Sequence, residues 1–170
     1  DPASPAAAAA DEHLCAAYDD ARALVELAGR CEAVSTEFEN VPAASLQRLA
    51  DEGCIVAPSA DAVSVCQHRL REKQVFERAG VPCAPHAAAG GGAGVIPPDR
   101  LSTLLPGILK TATLGYDGKG QVAVTTPAEL DRALAELHHV PCVLERRLPL
   151  AAEVSVIVAR SRLGHVVHLP

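Results

Sequence analysis

Lys110-Thr-Ala-Thr-Leu-Gly-Tyr-Asp-Gly-Lys-Gly-Gln121 decides how the rest of this chain is read. Ile108 to Thr111 has strand character, residues 112–120 are punctuated by Gly115, Gly118 and Gly120, and Gln121 to Val124 is a second strand. A glycine-rich connection of this kind can be no more than a tight turn. It can also bring backbone N–H groups up to phosphate oxygens, with Lys119 as a compact positive charge. A Walker A loop is excluded, since no final lysine–serine or lysine–threonine pair is present and no helix follows directly. Lys110 tilts the reading towards an anion, because an ammonium in an otherwise apolar strand is costly without a negative partner.

Upstream, Asp19 or Asp20 can cap a helix that carries Leu24, Val25, Leu27 and Ala28 and stops near Gly29. Cys31 to Phe38 reads as a short buried strand. Pro42 opens a second helix, with Leu46, Leu49 and Ala50 on one side and Gly53 as its stop, and Cys54 to Ala57 is another apolar strand. Strand, helix and strand at this spacing predict a parallel βαβ unit and an α/β fold class. A helical stretch is expected from about Ser59 to Ala79, with Arg69 and Lys73 four apart on one face. Val81 to Pro85 is extended by its prolines, and Ala87 to Pro98 reads as a Gly/Pro-rich loop or linker.

Downstream, Thr126-Pro-Ala-Glu129 is a capping box with proline at the first helical position, so a helix runs to about Leu137. Cys142 to Glu145 is a strand. Glu153 to Arg160 and His165 to Leu169 flank the turn Ser161-Arg-Leu-Gly164 and suggest a hairpin.

Two further constellations could carry chemistry. Glu145 and Glu153 flank Arg146, Arg147 and Leu148. That segment is either a solvated connection or a nucleotide edge, with backbone groups for an adenine and a carboxylate for a ribose. Glu37-Phe-Glu-Asn40 follows the first strand of the βαβ unit, where ligands of open α/β sheets bind. Asn40 could instead simply cap the next helix beside two solvated glutamates. His138 and His139 stand at a helix end and are given no role.

The chain has 170 residues, a formal net charge of −6 and 49% hydrophobic residues. The negative balance argues against nucleic acid, which basic faces bind. No apolar run reaches the roughly 20 residues of a membrane span, and the alanine-rich start lacks the basic leader of a signal peptide. Six cysteines at irregular spacing, without a C-x-x-C pair, read as scattered reduced thiols and point to the cytoplasm. No methionine is present, so Asp1 is not expected to be an initiator, and a piece of a longer chain is expected.

Taken in order, Thr36 to Pro42, Pro58-Ser59, Gln67 to Lys73, Gly80 to Pro82, Ile108 to Gln121, Val143 to Glu145 and Glu153 to Arg160 resemble the carboxyaminoimidazole ribonucleotide synthetases of purine biosynthesis, a family of ATP-grasp ligases. The resemblance implies a partial Rossmann-like pre-ATP-grasp domain followed by an incomplete ATP-grasp domain. It divides the chain at 1–58, connecting helices and linker at 59–98, the lid at 99–150 and the start of the last subdomain at 151–170. It also implies the reaction: ATP, 5-aminoimidazole ribonucleotide and bicarbonate give the carboxyamino product, ADP and phosphate, by way of carboxyphosphate. Water must then be shut out of the site.

Carried over residue by residue, Arg69 and Lys110 contact ATP phosphates, and Gly115, Tyr116, Asp117, Gly118, Lys119, Gly120 and Gln121 form the lid. Tyr116, Asp117 and Lys119 are the implied catalytic residues. Glu145, Arg146, Arg147 and Leu148 hold the adenine edge and Glu153 the ribose, while Tyr116, Asp117, Glu37 and Glu39 face the ribonucleotide. His68 and the glycine-rich stretch 87–98, which lacks the usual helix, depart from the family pattern. The Mg²⁺ ligands are expected beyond Pro170, with none in this chain, and the whole protein is expected to be a homodimer. The chain alone is accordingly expected to bind nucleotide weakly at best and not to turn over. Another ATP-grasp ligase, such as a biotin-dependent carboxylase or a formate-using transformylase, and a non-catalytic nucleotide-binding fragment are the alternatives.

Overall fold

The signals that place helix starts act over three or four residues, and they set the frame of the molecule. In the computed structural model, which describes residues 3–115, 119–161 and 163–169, a short 3₁₀ turn at Pro5–Ala8 precedes helix α1 (Ala21–Arg30). Asp20 caps α1 by accepting hydrogen bonds from the amides of Arg22 and Ala23. Strand β1 (Ala33–Val34), helix α2 (Ala43–Asp51) and strand β2 (Ile55–Val56) follow, and β1 pairs with β2 in parallel. The expected βαβ unit is therefore present, with shorter strands than Cys31–Phe38 and Cys54–Ala57 suggested. Its core is Leu46, Leu49, Val41, Cys54, Ala60 and Val63, with Leu24 and Leu27 of α1 packed against it.

The helix expected over Ser59–Ala79 is two helices, α3 (Ala60–Cys66) and α4 (Arg69–Arg78). The break has a physical cause in long-range hydrogen bonds. The Gln67 amide side chain donates to the carbonyls of Glu39 and Val41, and the backbone N–H of Arg69 donates to Ala112 O. His68 at the N-cap gives α4 no side-chain cap. Sequence periodicity carries no trace of partners that lie so far along the chain.

A second correction concerns Ala87–Pro98. Its first residues belong to strand β3 (His86–Ala89), and its last leads into helix α5 (Pro98–Leu104), so only its middle is a loop. Strands β4 (Gly107–Thr111) and β5 (Gln121–Val124), helix α6 (Pro127–Glu136) and strand β6 (Cys142–Arg146) complete an antiparallel sheet of order β3-β6-β4-β5. Strand alternation gives this sheet two unlike faces. Ala87, Ala89, Leu109, Val124, Cys142 and Leu144 point to one side, where Leu104, Leu130 and Ala133 of α5 and α6 close the core. His86, Ile108, Lys110, Val143 and Glu145 occupy the other side by register.

Strands β7 (Ile157–Arg160) and β8 (Val166–Leu169) form the expected hairpin, which is exposed on both faces. All six cysteines are free thiols. Among the described residues no helix is long and apolar enough to cross a membrane.

The capping box at α6 closes one residue earlier than the sequence pattern suggests. Thr126 Oγ1 accepts from the Glu129 amide, but the Glu129 carboxylate takes the amide and hydroxyl of Thr125, at 2.7 and 2.6 Å. The Thr125 hydroxyl and amide hold the Glu129 carboxyl below its ordinary value. A carboxylate with a lowered folded-state value stabilises above its unfolded-state value and loses that effect as pH falls through the folded one. The Thr125 amide resonance should therefore titrate with Glu129 at a midpoint below that of a free glutamate. A midpoint at the ordinary value would show that the carboxylate does not hold Thr125.

Candidate functional site

Lys110 is the residue whose cost the sequence made visible, and the structure supplies its anionic partner. Its side chain points to the face of the sheet opposite the apolar core, where Lys110 pairs in register with Val143. Glu145, two residues further along β6, lies diagonally across on the same face. Lys110 Nζ donates to Glu145 Oε2 at 2.9 Å, and Lys73 Nζ from α4 meets Glu145 Oε1 at 3.1 Å. The three side chains are only 20%, 13% and 13% exposed for Lys110, Lys73 and Glu145. Burial pushes the Glu145 carboxyl up. The hydrogen bond and charge of Lys110, with those of Lys73, outweigh burial and hold it below the usual carboxylate range. Two ammonium groups against one carboxylate leave a net positive charge in a half-buried place, which is where an anion is favoured.

Arg69 opens α4 and reaches the entrance of the glycine-rich loop. Its Nε donates to Thr111 O at 3.2 Å and its Nη2 to Gly115 O at 2.9 Å. Both ends of that loop are crowded. A Cβ on Gly120, which has φ +69°, would stand 2.7 Å from Thr111 Oγ1, and one on Gly115 would stand 3.0 Å from the same oxygen. The glycines thus permit the close return of the chain between β4 and β5. Lys119 begins the return and is exposed, and Gln121 is the first residue of β5. Tyr116, Asp117 and Gly118 lie outside the described residues.

Glu37, Glu39 and Asn40 line a cleft of about 440 Å³ together with Gln67, Arg69, Glu72 and Gly115. The segment after β1 and the start of the glycine-rich loop, far apart in sequence, therefore share one cavity. Neither Asn40 nor any other side chain caps α2, whose N-cap is Pro42, so the capping reading of Asn40 gives way to the cleft. Gln67 fixes the backbone of this segment through Glu39 O and Val41 O, at 2.8 and 2.7 Å.

Arg146, Arg147 and Leu148 leave β6 as an exposed extension, with Arg147 N–H bonded to Pro106 O. Glu153 is exposed ahead of β7 and stands outside the cluster and the cleft. The structure thus joins Lys110 to Glu145, and Arg69 to Gly115, Glu37 and Glu39. Lys73 and Gln67 are the residues that motif reading passed over. The spacing of Lys73 from Arg69 was the one available signal for the former, since it put both cations on one helix face.

Comparison with known proteins follows this geometry. A family model described as the ribonucleotide synthetase preATP-grasp domain matches residues 1–67, and one described as the ATP-grasp domain matches residues 74–170. The N5-carboxyaminoimidazole ribonucleotide synthase of Pseudomonas aeruginosa is 39% identical over 173 residues, covering 100% of this chain and 47% of that protein. A crystal structure of the ADP complex of PurK, N5-carboxyaminoimidazole ribonucleotide synthetase, superposes with a TM-score of 0.87 at 36% identity, covering 99% of this chain and 44% of the other. The Staphylococcus aureus N5-carboxyaminoimidazole synthetase complexed with ADP gives 0.84 at 30% identity, covering 98% and 44%. The chain spans about half the length of the curated relatives it matches.

Proposed function

The chain belongs to the ATP-grasp family, and on that footing we propose that it supplies the nucleotide lid and the substrate-facing cleft of an ATP-dependent carbon–nitrogen ligase. The reaction proposed for the whole protein is carboxylation of 5-aminoimidazole ribonucleotide with bicarbonate, in purine biosynthesis. Cytoplasmic location and a homodimeric state belong to the same proposal. The observation that carries it is the net positive Lys73–Glu145–Lys110 cluster on the strand leading into a glycine-rich segment whose first glycine, Gly115, Arg69 ties to the Glu37–Asn40 cleft.

In this reading Lys110 and Arg69 face the nucleotide phosphates, and Gly115 to Gln121, with Tyr116, Asp117 and Lys119, closes over them. The backbone from Glu145 through Arg146 and Arg147 to Leu148 offers its groups to the adenine, and Glu153 takes the ribose. Glu37 and Glu39 accept hydrogen bonds from the ribonucleotide's amine, and Tyr116 and Asp117 face it from the lid. Exclusion of water by the lid preserves a carboxyphosphate long enough for the amine to capture its carbon. Mg²⁺ supplies charge neutralisation to a transferring phosphoryl group. Among the described residues no group of three or more His, Cys, Asp or Glu stands together.

The test is phosphate release from ATP and bicarbonate by a protein in which this chain is completed with the remaining length of its Pseudomonas aeruginosa relative. Release should require 5-aminoimidazole ribonucleotide. Release with biotin or glycinamide ribonucleotide instead would assign another ATP-grasp ligase. ATP binding with no release for any acceptor would leave a nucleotide-binding module.

A further inference from the structure

Among the described residues Glu145 is the carboxylate that Lys73 and Lys110 share, and that sharing has a consequence when a nucleotide arrives. If Lys110 turns its charge onto a phosphate, a carboxylate that is 13% exposed loses its closer partner. An unpaired buried charge is strongly unfavourable. Lys73, 3.1 Å from the other carboxylate oxygen, is already in place to prevent this. We infer that Lys73 is a positioning residue of the nucleotide site, whose ammonium keeps Glu145 paired so that Lys110 is free to engage phosphate. This deepens the ATP-binding reading above and rests on it.

The surroundings allow few substitutes for Lys73. Glu145 is opposite His86 on β3 and Ile108 on β4. His86 Nδ1 lies 3.8 Å from Glu77 Oε1 of α4 and 3.2 Å from Ala84 O, so its own partners are elsewhere. The charged groups around Glu145 are thus Lys110, Lys73, His86 and Glu77. Among the described residues only the two lysines form ion pairs with it.

The discriminating experiment titrates ATP into the 170-residue chain and follows amide shifts by NMR, at pH 8 and pH 6. It compares the parent with Lys73→Met, Lys73→Arg and the double variant Lys73→Met/Glu145→Gln. Lys73→Met should weaken ATP binding at least about tenfold at pH 8, in line with loss of one partner of a desolvated charge pair. The deficit should shrink at pH 6, because Glu145 then takes up a proton when Lys110 leaves it. Ionisation of the ATP phosphates is common to every variant, so only differences between variants are read. Glu145→Gln in the Lys73→Met background should restore affinity to within about threefold of the parent, since a neutral amide needs no counter-charge. Lys73→Arg should bind like the parent.

A merely structural Lys73 would give a deficit that is independent of pH and not rescued by Glu145→Gln, and either result overturns the inference. Should Lys73→Met not fold, the Lys73→Arg comparison and the double variant still decide it. Absence of any ATP-induced shift in the parent would overturn this inference, while the nucleotide reading stands or falls with the phosphate-release test above. ATP binding without rescue removes the inference alone.

Discussion

Replacing Glu145 by alanine should destabilise the chain by about 3 kcal/mol at neutral pH, the scale for breaking a buried ion pair from one side. The change strands the Lys73 and Lys110 ammonium groups side by side, with side chains only 13% and 20% exposed. Coulomb repulsion then adds to desolvation, where the native carboxylate had satisfied both. The sign of the pH dependence is fixed by the folded-state carboxyl, which burial raises but Lys110 and Lys73 together hold below the ordinary range. Its stabilisation is fully present above the unfolded-state value and is lost as pH falls through the folded-state one. Urea denaturation of parent and variant should therefore give curves that converge in acid. Inorganic phosphate should restore more stability to the variant than to the parent, by taking the vacant place between the lysines. A gap that is constant from neutral pH into acid would mean that Glu145 acts by packing and not by charge.

What was legible in the sequence followed from how local each cause is. Asp20, Ser59 and Thr126 announce helix starts because a cap acts on amides two or three residues away. Strands β4, β5 and β6 were legible as short, mainly apolar runs bounded by the glycine-rich loop and by the capped helix α6. Strand β3 was hidden for the opposite reason. Its three alanines carry neither β propensity nor a contrast between faces, and its partner β6 lies more than fifty residues downstream. The break between α3 and α4 was hidden because Gln67 and Arg69 bond to residues 28 and 43 positions away.

The candidate site divides in the same way. Lys110 was suspect from its strand alone, and its need for an anion could be stated before any partner was known. That Glu145 would be that anion could not be seen, since in sequence it belongs with Glu153 at a nucleotide edge. Only the antiparallel register of β4 against β6 puts Glu145 on the same face as Lys110 and beneath Lys73. The assignment of residues 145–148 to an adenine edge consequently rests on backbone groups, while the Glu145 carboxylate serves the lysines.

Leu144→Ala, one residue from Glu145, should cost as much by a different route. Leu144 is 0% exposed and pairs in register with Ala87 of β3 and Leu109 of β4, on the core face beneath α5 and α6. The small alanines of β3 leave little side chain to collapse into a new space, so a cavity should persist. Truncation of a buried leucine under such conditions costs about 2–5 kcal/mol, against a total of roughly 5–15 for a folded domain. The urea midpoint should fall with the slope of the transition unchanged, because the same surface is exposed on unfolding. Unlike the loss at Glu145, this one should not close in acid, and phosphate should raise variant and parent alike. Two adjacent residues with equal thermal cost and opposite responses to pH and phosphate would establish that the sheet has one face for stability and one for an anion. If Leu144→Ala also responded selectively to phosphate, the two faces would not be independent and the positive cluster could not be assigned to ligand binding on charge grounds.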